Sequence, residues 1–486
     1  MRPLALLGLC LLPGCAPYLV TDLDGGPNGI GATDGVGAGS DGMGPGDGGL
    51  DLGPAVDGAL PPPQDLTLGD GPRLPVDLAR GDGGPPAPGG PTRYLAGPRH
   101  WPLSPSVVAR LRAVVAATPG RRGVFAKVGD SITVNTGFLH CFAGNDVRLD
   151  KWGNLSPTRD TFVATTADGQ RSSFNRVSLA AGVGWSAAQP VAGNPTPVDQ
   201  ELAAVRPAFA VVMLGTNDTY AQGVIPFERN LRRVADALLA RGVVPLLSTI
   251  PPRGDRADAN ALVPEMNAIV RAVAQSRQVP LMDYHQALLP LPGFGLAGDG
   301  VHPASYSDGA GTHSCWLSAA ALTKGNNQRN LITLEALDRA RRFLVDQPGP
   351  AAEPAPPSIT GKGTFGDPFV VDHWPFVDDR DTAKSGSRVA RFYSCGPQDE
   401  GGPEYVYRLT VNRPTRLRAR VYGDDGVDVD LHLLGAPQAD RCQVRADKTL
   451  DAAVAPGTHY LVADTYVNAG QPLAGPYRLT VVDLGP

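Results

Sequence analysis

The run FAVVMLGTND, Phe209 to Asp218, decides the fold. Phe209 to Leu214 are apolar without a break, and Gly215 closes the run. A short unbroken apolar run that stops at glycine reads as a strand covered on both faces. Such strands belong to parallel sheets, whose crossover connections hold helices. The flanking sequence agrees. Gly123 to Val128 (GVFAKV) and Val243 to Ile250 (VVPLLSTI) are strand-like, and Val279 to Tyr284 (VPLMDY) is a third short apolar run. Between them, 227–241 and 259–278 show helical spacing, and Gly242 sits where a C-cap is needed. Ser104 to Thr118 opens on Ser before Pro, a helix start, and 332–345 is the last helical stretch. Strands alternating with helices predict one α/β domain over residues 93–347.

Open parallel sheets place their sites at the carboxyl ends of the strands. The loops found there are Gly129-Asp130-Ser131-Ile132-Thr133 and Gly215-Thr216-Asn217-Asp218. Later comes Asp299-Gly300-Val301-His302-Pro303. Read as chemistry they complement one another. A serine hydroxyl needs a base to take its proton, and His302 is a candidate. Asp299, three residues earlier, is placed to hold the imidazole in one tautomer. A tetrahedral oxyanion needs preorganised donors. The Asn217 amide, the Ser131 N–H and a glycine N–H are candidates.

These blocks, in this order, resemble the SGNH hydrolases, also called GDSL esterases and lipases, over about residues 120–345. The resemblance implies a flavodoxin-like three-layer α/β/α fold. It implies Ser131 as nucleophile, His302 as base and Asp299 as its orienter. Ser131 N–H, Asn217 and a glycine in Ala181-Gly182-Val183-Gly184-Trp185 would form the oxyanion hole. Gly184 is preferred for that role over Gly182. No cofactor and no metal is implied. Each residue also has a structural role open to it. Ser131 can cap a helix, His302 can be an exposed loop residue, and Asn217 with Asp218 can close an Asx-turn. Their joint occurrence in family order favours the site. The insert Phe142 to Asn175 is polar and turn-rich and is expected to form a loop over the site. GxSxG, HExxH and P-loop patterns are absent. His140 beside Cys141, and His302 with His313, do not make a ligand cluster at zinc spacing.

Beyond Pro348 to Lys362, a Pro/Ala linker (348–362), helical patterning stops. The runs 405–411, 415–421, 427–433, 458–462 and 477–481 alternate and are separated by Gly, Pro and Asp turns. A separate all-β sandwich over 363–486 is predicted. Tyr405-Val406-Tyr407, Asp428-Val429-Asp430-Leu431-His432-Leu433 and Pro456-Gly457-Thr458-His459-Tyr460 are similar to bacterial pre-peptidase C-terminal domains. That resemblance implies an accessory module. Asp424, Asp425, Asp428 and Asp430 are calcium-ligand candidates, although alternating strand Asp more often faces solvent.

The amino terminus reads differently. Met1 to Cys15 (MRPLALLGLCLLPGC) has one basic residue, a short apolar run and then Leu12-Pro13-Gly14-Cys15. This resembles a bacterial lipoprotein signal, which implies removal of 1–14 and a diacylglycerol on Cys15. An exported chain anchored at the outer membrane of the envelope is expected. Residues 16–92 carry 21 Gly, 13 Pro and 11 Asp against 2 Arg. Together with Cys15 this stretch (15–92) is expected to be a disordered tether, spanning roughly 50 Å as a coil. Its net charge is −9 against −5 for the whole chain, so the negative balance lies in it while residues 93–486 sum to about +3, and a strongly basic nucleic-acid binder is not supported. No run of twenty apolar residues follows Cys15, which excludes a helical membrane span. Four cysteines remain: Cys141, Cys315, Cys395 and Cys442. Export favours disulfides; four cysteines allow three connectivities, of which Cys141–Cys315 with Cys395–Cys442 is the pairing within domains. The expected activity is ester hydrolysis by a monomer, with an acetylated glycan as a candidate substrate. A catalytically silent surface-binding protein and a lipase or lysophospholipase are the alternatives.

Overall fold

The computed structural model describes residues 91–117, 120–221 and 223–485. The expected signal, the expected lipidation at Cys15 and the expected tether up to residue 90 lie outside the described residues; Thr92, placed at the end of that tether, is instead buried and bonded through its backbone N–H and carbonyl to Gln278, both at 2.9 Å. No helix among the described residues is long and apolar enough to cross a membrane.

Four parallel strands form the central sheet in the order β1 (Arg121–Gly129), β2 (Pro207–Met213), β3 (Val244–Ser248) and β4 (Leu281–Met282). All of β2 is buried, as its unbroken apolar run requires. Beyond β1 the chain at Ala181 adds one parallel bridge to Gly129. One helical layer holds Pro105–Ala117, Ser156–Ala164 and Gly325–Ala340. The other holds Pro197–Val205, Val224–Leu239 and Ala257–Arg277. The Val224–Leu239 helix shows why: Phe227, Leu231, Val234 and Leu238 repeat at helical spacing and are all buried. Its end is marked by Gly242 at φ 71°, a left-handed conformation that glycine adopts without strain.

The insert does not form the loop expected over the site. Phe142, Phe162 and Phe174 are fully buried; Phe162 and Phe174 pack edge-on against Phe125 of β1, Phe162 also against Phe209 of β2, and Phe142 lies tilted on Phe174. Its helix, Ser156–Ala164, is part of a helical layer. Three aromatic side chains spaced among polar residues hid this from the periodicity.

A two-residue hairpin, β5 (Ser307–Asp308) with β6 (Gly311–Thr312), follows the His302 loop. The carboxyl-terminal sandwich comes next. Its strands are β7 (Phe369–Val370), β8 (Phe376–Asp381), β9 (Tyr405–Val411), β10 (Thr415–Gly423) and β11 (Val429–Leu434). They continue with β12 (Cys442–Ala446), β13 (Thr449–Val454) and β14 (Gly457–Thr465), the minor pair β15 (Val467–Asn468) and β16 (Gln471–Pro472), and β17 (Pro476–Asp483). One sheet runs β13-β10-β17-β8 and the other β12-β11-β14-β9-β7. Leu417, Leu431, Leu461, Tyr407 and Leu479 fill a core of its own between them.

The Ala257–Arg277 helix lies between the central sheet and this sandwich, which is why it is buried nearly all round. Ala268 and Ala272 meet Val377 and Val482 of the sandwich. Around that small apolar contact the pairing is ionic. Glu265, almost wholly buried, is held by Arg418 (3.1 Å) and Arg420 of β10. Arg478 of β17 reaches Glu228 at 2.6 Å, and Gln275 donates to Asp379 at 2.9 Å. The sandwich is thus a second folding core docked through arginines onto helices of the first.

Candidate active site

Ser131 opens a four-residue helix, Ser131–Val134, directly after β1. A Cβ on Gly129 would lie 2.7 Å from the Met213 carbonyl oxygen and closer still to Thr133, so only glycine lets the chain turn there. Buried Asp130 caps the helix by accepting the Ile132 N–H at 3.0 Å. Burial pushes the Asp130 carboxyl up, against the pull of Arg329. Arg329 closes the other end of the helix. It donates to the Ile132 carbonyl (2.6 Å) and the Thr133 hydroxyl (2.9 Å) and stacks 3.5 Å from the Phe138 ring. Burial brings its guanidinium down to about 10.

His302 arrives from the far side of the sheet. Its loop passes the loop after β3 at a glycine–glycine crossing. Gly300 has φ 69°, and a Cβ there would lie 2.7 Å from the Gly254 carbonyl carbon. Gly254 N–H donates to the Gly300 carbonyl at 2.7 Å. Asp299 Oδ1 accepts the N–H groups of Val301 and His302, both at 3.0 Å. Asp299 Oδ2 lies 2.6 Å from His302 Nδ1, and His302 Nε2 lies 2.9 Å from Ser131 Oγ. A carboxylate only accepts, so Nδ1 carries the proton and Nε2 is left to accept from serine. Partial burial would raise the Asp299 carboxyl. The bonds from Val301 and His302 outweigh it and hold the group at about 2, so it is ionised at neutral pH.

Asn217 follows β2. Gly215, at φ 125°, permits the turn, and a Cβ there would meet the Phe227 ring at 3.0 Å. Asn217 Nδ2 donates to the Trp185 carbonyl at 2.9 Å, and the Tyr220 hydroxyl donates to Asn217 Oδ1 at 3.1 Å. Next to it, fully buried Asp218 accepts the Ala187 N–H at 3.0 Å. These two bonds fasten the Asn217 turn to the glycine segment. Within that segment Gly182 spends its N–H on the Gly129 carbonyl (3.2 Å) and lies under the Trp185 ring. Gly184 is exposed at φ 75°, with open space around it.

Burial raises the Asp218 carboxyl from 3.8 to about 7, against the Ala187 bond and with help from Asp130. The folded chain therefore keeps a proton that the unfolded chain releases. The stability this gives is full below pH 3.8 and is lost as the pH climbs to about 7. Asp218→Asn keeps an acceptor for Ala187 and removes the titration. Its stability relative to wild type is expected to rise between about pH 5 and about pH 8, on the order of 2–4 kcal/mol. Denaturant melts at the two pH values measure this, and a pH-independent difference would sink it.

The sequence-predicted residues Ser131, Asp299, His302 and Asn217 thus lie at one end of the sheet, Ser131 at the start of a short helix and the others in loops, with Ser131, His302 and Asp299 in one hydrogen-bonded chain. Several residues that build the site were not singled out from the sequence. The last helix begins at Gly325, seven residues before the expected start, and its polar opening GNNQRN is buried except for half-buried Gln328. Asn326 binds the Pro303 carbonyl, Asn327 those of His313 and Trp316, and Asn330 those of Gly137 and Ser314, all at 2.8–2.9 Å. Arg253 donates to the Thr216 carbonyl at 2.7 Å. Buried asparagines in a helix give no apolar period, and the available signal was their density just after the histidine loop.

Both expected disulfides form, Cys141–Cys315 and Cys395–Cys442. His313 is clamped by Asp146 (2.8 Å) and Asp308 (3.1 Å) and stacked on Trp316. The calcium candidates are met by cations of the chain itself. Lys448 sits on Asp428, Arg445 on Asp430, and Arg478 on Asp424 at 2.9 Å. Asp425 is exposed.

Residues 128–306 match the GDSL-like lipase/acylhydrolase family. A search of curated proteins finds no match. Among solved structures the chain is similar to a GDSL-like lipase from Bacteroides thetaiotaomicron, at 14% identity and TM-score 0.28, covering 48% of this chain and 98% of that one. It is similar to a catalytic mutant of an acetylxylan esterase from Geobacillus stearothermophilus, at 15% and 0.29, covering 45% and 94%. It is also similar to the pre-peptidase C-terminal domain of a Bacillus anthracis collagenase, at 14% and 0.16, covering 22% and 88%.

Proposed function

From the premise that residues 128–306 carry a GDSL-like lipase/acylhydrolase domain, we propose that the chain is a serine esterase that removes acetyl groups from a polysaccharide. The observation that carries the catalytic reading is the chain Ser131 Oγ–His302 Nε2, His302 Nδ1–Asp299. In this mechanism Ser131 Oγ attacks the ester carbonyl carbon while its proton passes to His302 Nε2. Asp299 stabilises the imidazolium without taking its proton. The carbonyl oxygen becomes an oxyanion met by the N–H groups of Ser131 and Gly184 and by the Asn217 amide. Collapse breaks the ester bond, and the departing alkoxide takes the proton from His302. Water, deprotonated by the same imidazole, then hydrolyses the acyl-serine and restores Ser131.

The site is open. Side-chain exposure is 35% for His302 and 50% for Asp299, which suits an ester carried on a bulky chain. The signal-like Met1 to Cys15 supports export and lipid anchoring at Cys15. The test is a p-nitrophenyl ester series together with a fluorophosphonate probe. Fastest turnover on the acetyl ester and covalent labelling at Ser131 are expected. Labelling with a maximum at long acyl chains would replace acetyl esters by lipids, and failure to label would leave a binding protein.

A further inference from the structure

We propose that Tyr220 is a positioning residue for this hydrolysis. Its hydroxyl fixes the Asn217 carboxamide so that one amide N–H stays free for the oxyanion. The assignment rests on the reading of Asn217 as an oxyanion donor. A donor stabilises developing charge best when it does not have to be recruited at the moment of reaction. A carboxamide on two rotatable bonds is not preorganised by itself. Asn217 has an anchor at each end of the amide. Its nitrogen donates to the Trp185 carbonyl, an atom that only accepts, and its oxygen accepts from the Tyr220 hydroxyl. The pair leaves the amide one orientation and the nitrogen one uncommitted hydrogen.

Burial does not hold Tyr220 in place, because the residue is 55% exposed. Two guanidinium groups do. Arg253 and Arg256 lie 5.4 and 5.7 Å from the ring centre. Arg253 is buried and also grips the Thr216 carbonyl (2.7 Å) and the Thr219 hydroxyl (3.1 Å), on either side of Asn217 and Asp218. Asp255 secures Arg253 at 2.6 Å. The next link is Gly254, whose N–H binds the Gly300 carbonyl between Asp299 and His302. The ring of Tyr220 therefore ends a strut that ties the amide to the loop carrying the base.

Steady-state kinetics on p-nitrophenyl acetate test this with wild type, Tyr220→Phe, Asn217→Ala and the double variant. Phenylalanine keeps the ring and removes only the hydroxyl. The expected result is a kcat lowered about fivefold, the effect of one neutral hydrogen bond, with KM and Tm unchanged. In the Asn217→Ala background the same substitution should change nothing. A role in substrate stacking or in folding would move KM or Tm and would add fully in the double variant. Equal kcat for wild type and Tyr220→Phe, or full additivity, overturns the assignment while leaving the esterase reading intact. No turnover by wild type overturns both.

Discussion

Ser131→Ala is expected to cut kcat/KM on p-nitrophenyl acetate by about 10⁴- to 10⁶-fold while leaving the fold in place. The size follows from what the hydroxyl does. It supplies the electrons for the new bond, and losing one member of a nucleophile–base unit removes most of what the unit contributes. Water held near the oxyanion donors gives only residual catalysis. The fold should survive, because the Ser131 hydroxyl bonds His302, while Asp130 and Arg329 hold the surrounding helix through other atoms. The measurement pairs kcat/KM with a thermal melt. Retention of more than about a tenth of the activity would move the nucleophile elsewhere.

The other large effect is on stability. Replacing both Cys141 and Cys315 by Ala is expected to cost about 5 kcal/mol, from freeing a loop of 174 residues in the unfolded chain. The cross-link also joins two parts of the site. Cys141 lies just past the Ser131 helix, and Cys315 lies in the segment that follows the His302 loop. Urea unfolding of the double variant against wild type checks the figure. A loss below about 1 kcal/mol would mean that the asparagine network of the last helix fastens these segments without the cross-link.

The parallel sheet was legible because β2 and β3 are covered on both faces, and such strands write their burial directly into sequence. The candidate residues Ser131 and Asn217 were legible because their short motifs stand directly after apolar strands, where open sheets carry their sites, and Asp299 with His302 because the pair stands in a glycine-rich loop before the last helix. What surrounds them was not. Arg329, Asn326, Asn327 and Asn330 are polar groups buried against backbone carbonyls, and no hydropathy period registers a satisfied buried amide. β8 (FVDDRD) carries four charged residues in a row and no apolar alternation, yet Asp378 meets the Tyr407 hydroxyl on one face and Asp379 meets Gln275 on the other. The insert misled for the opposite reason, since three phenylalanines set the fate of a polar stretch. The choice between Gly182 and Gly184 turns on which N–H the sheet edge consumes, and pairing register is a tertiary fact.

The arginines of β10 and β17 point to carboxylates that belong to a different core. A buried ion pair tolerates loss of both partners far better than loss of one. Glu265 and Glu228 therefore act as addresses, and Arg418, Arg420 and Arg478 as the matching keys. A sandwich shuffled in from another chain would arrive without those keys, strand Glu265 in the dark and leave Glu228 to Arg232 of its own helix. In this protein the face of the sandwich that meets the GDSL-like domain is matched to it charge by charge.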